Sequence, residues 1–523
     1  MLNLFFVVVA ASATSAYKIL FVPVQFRSLI HTQLRLGDEL IARGHEVYIA
    51  IDSRFPEPDK MISASGIIPL PFRVPDDVLF MVSEDFERRL GASMFRSSSG
   101  DGETVGELLG ECFRSIDVQC EQTLLDDEFF AAARAIKFDL VVVDALGYTA
   151  CQAILPHRLG VPFASIWFGT TPWIARIPMS PAVTFLPFDA QVPPRAGHKR
   201  LTFWERFANL VRFVAPERGL LFAGSLNTTL LLRHAPEFGS WEELLRRSVL
   251  LISDRDHHFG NVFPTMPNAI NAPGLTTKPA KPLPSELEQI MTDSGDAGVI
   301  VVSFGSTAQF LPADVVRKFF DAFATLRQTI VMRFTTEVVV PANVKLFKWM
   351  PQNDILGHPK TRLFITHCGN NGLHEALHHA VPIIGFPLFF PDQMANGQMA
   401  VGQGFGLVMD IHRFTATLLR ANIEEVLDNP KYRSAIERMS AIWHDQPETP
   451  AARASFWIEH VIKFGGDHLR PASMDMSLAE FLMFDVVVVV CLFAFVGVLA
   501  LVGAIVYVWN RCCRRATKKV KKQ

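Results

Sequence analysis

Cysteine is scarce in this chain of 523 residues, and charge of one sign is not in excess. Basic and acidic residues number 50 and 52, so no nucleic acid or other polyanion is expected as a partner. Three of the seven cysteines, Cys491, Cys512 and Cys513, fall near the C-terminus. The remaining four, Cys112, Cys120, Cys151 and Cys368, stand at no metal-ligand spacing, and their disulfide pairing cannot be read from sequence. Also missing are the phosphate loop GxxxxGK[ST] and a GxGxxG turn after a strand, which sets aside kinase-type ATPases and an ordinary NAD fingerprint.

What the chain does have is apolar surface, at 49% of residues. One source is the N-terminal run LNLFFVVVA followed by ASATSA, which reads as a secretory signal over residues 1–16 although it has no basic stretch of its own. The other is the uninterrupted segment Val486–Trp509, long enough to cross a hydrocarbon core of about 30 Å. RCCRRATKKVKKQ follows it, and such a basic flank places that end in the cytosol and the body on the far side. Cys512 and Cys513 could accept palmitate. Asn227-Thr228-Thr229 is the one N-glycosylation sequon.

Length predicts two domains. YKILFVPV, a helix over Thr32–Arg43 and HEVYIAI form a βαβ opening, which implies a parallel sheet. FDLVVVD, a helix over Tyr148–Leu159 and VPFASIWF continue it. FWERFANLVRFVAPERGLLF is apolar and helical, fitting either packed helices or a lipophilic, membrane-apposed face. NAPGLTTKPAKPLP (Asn271–Pro284) reads as a linker. GVIVVSFGS then starts a second α/β unit with QTIVMRF, VKLF and several helices, the last of them Ala451–Phe464. The expected fold class is α/β, two doubly wound Rossmann-like domains (17–284 and 285–465) facing a cleft, with ligands at the carboxyl ends of strands. A juxtamembrane linker (466–485), one transmembrane helix (486–509) and a basic tail (510–523) complete it.

The densest chemistry lies between Trp349 and Gln393. RLFIT is a buried strand, HCGNNG a small polar loop, and Leu373–Ala380 a helix. Such a loop offers unpaired backbone N–H groups at the positive end of a helix dipole, a cradle for diphosphate. Each polar residue alone has an ordinary structural role, but together they spell out one ligand. Trp349 and Gln352 suit a planar base, His367, Gly369 and Asn371 phosphates, Glu375 a ribose, and Asp392 with Gln393 sugar hydroxyls. Ser306, ending VSFGS, suits the diphosphate from the neighbouring strand.

The stretch resembles the signature of the UDP-glycosyltransferases, the group that includes the animal UDP-glucuronosyltransferases. Phe364, Ile365, Thr366, His367, Cys368, Gly369, Gly372 and Glu375 match in register, as do Pro382, Pro387, Asp392 and Gln393. FPLFFPDQ carries one residue more than the usual pattern before Asp392. The resemblance implies the GT-B fold and a UDP-sugar donor, glucuronate or glucose, that acts as co-substrate, so no cofactor is needed. It also implies a small lipophilic acceptor and transfer that inverts the linkage without a metal. Lys519 and Lys521 resemble a dilysine retrieval signal, which implies a single-pass endoplasmic reticulum protein with a lumenal body. Self-association, or association with another chain, stays open.

The family's base is a histidine after the first strand, oriented by an aspartate after a later one. Asp144 matches the aspartate. Counting back from His45 by the family's interval lands on Leu29, and the nearest histidine is His31, two residues further along. Two residues turn a helix by about 200°, so His31 reaches the place only if the loop, which looks long, is reshaped. Three readings follow: His31 is a displaced base paired with Asp144, the acceptor is an amine that needs little deprotonation, or the chain binds the donor and transfers poorly.

Overall fold

The computed structural model describes residues 16–55, 62, 65–95, 104–144, 147–167, 202–204, 206–207, 228–253, 265–305, 311–334, 339–388, 391–477, 480 and 483–520. The signal segment up to residue 15, Ile177–Pro194, most of 203–222, Asn227 and Ser306 lie outside them. The chain divides into two compact units, one reaching Arg470 and the other Pro471–Gln523.

The first unit holds two parallel sheets. In one the spatial order is β3 (Ile68–Phe72), β2 (Glu46–Asp52), β1 (Lys18–Val22), β4 (Leu140–Val143), β5 (Phe163–Trp167), β6 (Leu250–Ser253), β7 (Ala269–Asn271). In the other it is β10 (Val344–Phe347), β9 (Thr329–Arg333), β8 (Val299–Ser303), β11 (Thr361–Thr366), β12 (Ile383–Gly385), β13 (Gly406–Val408). Both are covered on two faces. β4 and β8 are therefore continuous apolar runs, LVVV and VIVVS, buried at every position, as expected of strands inside a helix-sheet-helix layer. In each sheet the strand order reverses beside the first strand, β1 next to β4 and β8 next to β11. That is where doubly wound sheets open a ligand crevice at their carboxyl ends.

Helix α1 runs from Arg27 to Ala42 and joins β1 to β2. The sequence expectation placed its start at Thr32. The earlier start went unseen because its cap position is Phe26, which makes no side-chain capping bond, so no polar start signal precedes it. The loop after Pro23 is accordingly short, and Leu29 and His31 both sit on the helix. The expected helix Tyr148–Leu159 divides into a 3-10 helix, Gly147–Ala153, and an α-helix, Ile154–Leu159. Pro156 has no N–H to bond one turn back, so it is accommodated in the first turn of a new helix.

Ala454, Ile458 and Val461 of the Pro450–Phe464 helix lie in the core cluster of the first sheet with Ile19, Phe21 and Leu36. The chain thus returns to its first half after completing the second. His45 Nε2 and Arg43 Nη1 meet Glu459 at 3.0 and 3.2 Å to hold that return. A disulfide joins Cys120 to Cys151, while Cys368 and Cys491 are not disulfide-bonded. In the second unit a helix spans Phe484–Val520, and its Phe484–Arg511 part is long and apolar enough to cross a membrane. Three turns more than Val486–Trp509 are helical, because the basic tail continues the helix.

Candidate functional site

Asp144 follows β4 directly and is 1% exposed. Its Oδ2 accepts the Val24 N–H at 2.8 Å, and its own N–H is held by Gln152 Oε1 at 2.9 Å. Burial pushes its carboxyl up to about 7, against the pull of the Val24 N–H and of Gln33. Oδ1 and both amide atoms of Gln33 are buried without a hydrogen-bond partner. Gln33 therefore faces the acid without closing a bond to it. One turn before Gln33 on the same helix face stands Leu29, packed against the cluster that contains Val22, Val24 and Val143.

His31 points elsewhere. Burial, followed by the charges of Arg35 and Lys278, pulls its imidazole down to about 4, and Asp144 is not among the groups that act on it. The expected pairing of His31 with Asp144 is thus not formed: α1 turns His31 toward Arg35 and Lys278, while Asp144, at the end of β4, bonds Val24 and Gln152. The sequence missed Gln33 as the residue facing Asp144. Its only signal was the four-residue spacing from Leu29, which needed the correct helix start.

The second-half loop is built around His367. Its ring lies between two glycines: a Cβ on Gly305 would come within 2.7 Å of it, and one on Gly369 within 2.3 Å. Gly305 also has φ +81°, a conformation that suits glycine. Burial draws the imidazole down to about 4, so it is neutral, and Nδ1 is buried with no partner. Cys368 turns the chain with φ 62° while its backbone N–H reaches Thr366 Oγ1 at 3.3 Å. Gly369 then starts the Asn370–His378 helix with no side-chain cap and no acid in its first turn. The first N–H groups of a helix have no partner within it and point outward along its axis.

Glu375 sits one turn into that helix. Gln352 Nε2 donates to its Oε2 at 2.7 Å, and burial raises its carboxyl to about 7 against the Gln352 bond and Lys278. Gln352 thus turns its amide to Glu375. Trp349, three residues before Gln352, is 67% exposed. Asn371 Nδ2 donates across to Thr32 Oγ1 of α1 at 3.2 Å, joining the two halves. Burial pushes the Asp392 carboxyl up to about 6. Gln393 Oε1 takes the Leu388 N–H at 2.8 Å. Sequence reasoning also passed over the cations around Glu375, Lys278 from the linker and Arg35 from α1, because neither lies near it in the chain.

The arrangement defines a class: two doubly wound sheets with a phosphate-type loop in the second is the architecture of nucleotide-sugar glycosyltransferases of the GT-B fold. Solved structures agree on the fold. A glycosyltransferase of kitacinnamycin superposes with TM-score 0.58 at 20% identity, covering 86% of this chain and 99% of that one. CalG4, the calicheamicin glycosyltransferase, does so with TM-score 0.56 at 18% identity, covering 86% and 99%. The profile described as "UDP-glucoronosyl and UDP-glucosyl transferase" matches residues 17–523. UDP-glucuronosyltransferase 2C1 of Oryctolagus cuniculus is 30% identical over 91% of this chain and 93% of its own. UDP-glucuronosyltransferase 3A1 of Homo sapiens is 29% identical over 93% and 92%. The chain belongs to this family and is a UDP-glycosyltransferase, moving sugar from a UDP-sugar donor.

Proposed function

We propose that the chain transfers a hexose or hexuronic acid from its UDP-sugar to the nitrogen of a small lipophilic amine, with inversion and without a metal. The observation that carries this reading is that Gln33, and no imidazole, acts on Asp144 from α1, with Leu29 one turn before Gln33 on the same helix. A phenol or alcohol needs a base to take its proton as oxygen attacks the anomeric carbon. An amine nitrogen brings its own lone pair: the new C–N bond forms as the C–O bond to the diphosphate breaks. A primary or secondary amine then loses its proton to water, and a tertiary one keeps the positive charge. In this reading His31 belongs to the interface with Lys278 and is not the base.

The donor roles are also part of the proposal. Trp349 offers the stacking face for the base and Glu375 the acceptor for ribose hydroxyls. His367, Gly369 and the N-terminal end of the Asn370–His378 helix receive the diphosphate, and preorganised donors and dipoles of this kind stabilise a departing oxyanion. Ser306 would join them, and Asp392 with Gln393 would hold sugar hydroxyls. The relatives' names favour glucuronate as the sugar. The apolar Phe484–Arg511 helix, the basic tail after it and the Cys120–Cys151 disulfide support a lumenal body on a single-pass endoplasmic reticulum anchor.

Incubating the purified full chain with radiolabelled UDP-sugars and a panel of amines, phenols and sterols, with and without EDTA, tests the reading. Glycosides are expected from amines, at undiminished rate in EDTA. Phenols turned over as fast as amines would sink the amine assignment, and loss of activity in EDTA would sink metal independence.

A further inference from the structure

Asn371 is the second residue of the Asn370–His378 helix, just after the loop that carries His367. Its Nδ2 donates to Thr32 Oγ1 at 3.2 Å, across 339 positions of sequence. Thr32 stands on α1, 1% exposed, and its own hydroxyl donates to the Ser28 carbonyl one turn back at 2.9 Å. A hydroxyl carries a single proton. With that proton given to Ser28, Thr32 Oγ1 can only accept, so the group it holds must be an N–H. The Asn371 amide is therefore fixed with its nitrogen toward α1 and its oxygen turned away. The start of the helix has little room to shift around it, since a Cβ on the adjacent Gly372 would come within 3.2 Å of Gln352 Nε2.

This bond falls where the two substrate sites meet. On α1, Thr32 stands between Leu29 and Gln33, and Gln33 acts on Asp144. On the other helix, Asn371 lies one turn before Glu375, and residues four apart share a helix face. An amide nitrogen carries two N–H groups. One goes to Thr32, and the other has no partner among the described residues. We propose that Thr32 is a positioning residue of the transfer: its hydroxyl orients the Asn371 amide so that the second N–H serves the diphosphate, and through the same bond a seated donor steadies α1, the helix that carries the base position. The inference rests on the UDP-sugar reading of the site, in which Asn371 serves phosphate. An amide already held in one orientation need not be ordered when the donor arrives. By linkage, a donor that holds Asn371 also holds the Thr32 bond, and with it α1.

The test titrates UDP calorimetrically into the full chain in detergent, comparing wild type, Thr32→Val, Thr32→Ala and Thr32→Ser, and follows hydrogen exchange of α1 with and without saturating UDP. Thr32→Val keeps the shape and removes the oxygen. Thr32→Ala removes the same oxygen without crowding, and decides the question if Thr32→Val does not fold. Both are expected to weaken UDP roughly fivefold, the scale of one neutral hydrogen bond, whereas Thr32→Ser stays within about twofold of wild type. UDP is expected to slow exchange of the α1 amides in wild type and Thr32→Ser but not in the other two variants. A packing role alone would loosen α1 without making its protection depend on UDP. Wild-type affinity in Thr32→Val and Thr32→Ala, or a Thr32→Ser chain as weak as they are, would overturn the positioning role. Tighter UDP binding without the hydroxyl would mean that Thr32 withholds Asn371 from the donor, and loss in Thr32→Val alone would mean crowding; either overturns it. Protection of α1 by UDP that persists without the hydroxyl, or is absent in wild type, would overturn the coupling. A wild type that binds no UDP overturns the UDP-sugar reading and this inference with it, whereas a wild type that binds UDP beside indifferent variants sinks this inference alone.

Discussion

Leu29→His tests the acceptor reading most directly, because it returns an imidazole to the face of α1 that looks at Asp144. A positioned general base contributes roughly 10²- to 10⁴-fold to proton-transfer catalysis. The variant is expected at the low end of that range, since its acceptor pocket has not been shaped for oxygen nucleophiles. The structural cost is tolerable: Leu29 is only partly buried, so exchanging it costs about 1–2 kcal/mol of apolar burial, against a typical stability of about 5–15 kcal/mol. Some of that returns through the new partner. Asp144 now carries a carboxyl raised to about 7 by burial, and an imidazolium beside it would favour the charged form and lower that value. The assay is product formation with radiolabelled UDP-sugar. Phenol turnover is expected to rise roughly a hundredfold, with amine turnover nearly unchanged, and the phenol gain to disappear in the Leu29→His, Asp144→Asn double variant. A Leu29→His chain that folds and binds UDP yet glycosylates phenols no faster would refute the claim that Leu29 occupies the base position.

Three further perturbations bear on the donor half and the frame. Glu375→Gln is expected to weaken UDP by roughly 10- to 100-fold, since a hydrogen bond to a charged group is worth about 1.5–3 kcal/mol. The same change should raise thermal stability at pH 8 by on the order of 1–3 kcal/mol. The folded chain holds on Glu375 a proton that the unfolded chain releases at lower pH, so stability falls as pH rises to about 7, and the gain should vanish near pH 4. Equal melting shifts at both pH values would contradict the burial effect. Gly305→Ala should cost donor affinity and about 1–3 kcal/mol of stability, because its Cβ would press within 2.7 Å of the His367 ring; a melting curve and UDP affinity like wild type would mean the ring has room to move. Replacing Cys120 and Cys151 by serine opens a bridge that spans 31 positions and should cost about 3–4 kcal/mol in denaturant unfolding; an unchanged midpoint would argue that the bridge is not formed.

How much was legible depended on whether the determinants were neighbours in sequence. The strands KILFV, LVVV, VIVVS and TRLFIT were readable because strands buried on both faces carry unbroken apolar runs. His367, Gly369 and Glu375 were readable for a related reason: one strand, one loop and one helix bring them together within nine residues. The start of α1 was not, since Phe26 gives no capping signal, and that single boundary hid the length of the loop and the facing of Leu29. Partnerships formed only by tertiary packing were equally hidden. Gln33 with Asp144, Lys278 with Glu375, and Cys120 with Cys151 each join elements that no local pattern connects.

The placement of α1 explains why a histidine two positions from the family's site cannot simply stand in for it. One face of the helix carries Leu29 and Gln33 toward Asp144. Thr32 reaches Asn371 from the flank of that face, and His31 with Arg35 turns away to the linker's Lys278, beside the carboxylate of Glu375. Helical periodicity keeps His31 away from Leu29 and Gln33, since residues two positions apart point in nearly opposite directions. To bring His31 over Asp144 the helix would have to rotate by about 200°, burying Arg35 and breaking the Thr32–Asn371 bond that ties the acceptor half to the donor loop. His31 therefore cannot serve Asp144 while Thr32 holds Asn371. Position 29 is under no such constraint: a histidine there would face Asp144 with the Thr32–Asn371 bond kept, which is why the Leu29→His variant, and not a shift of His31, is the test of the base position.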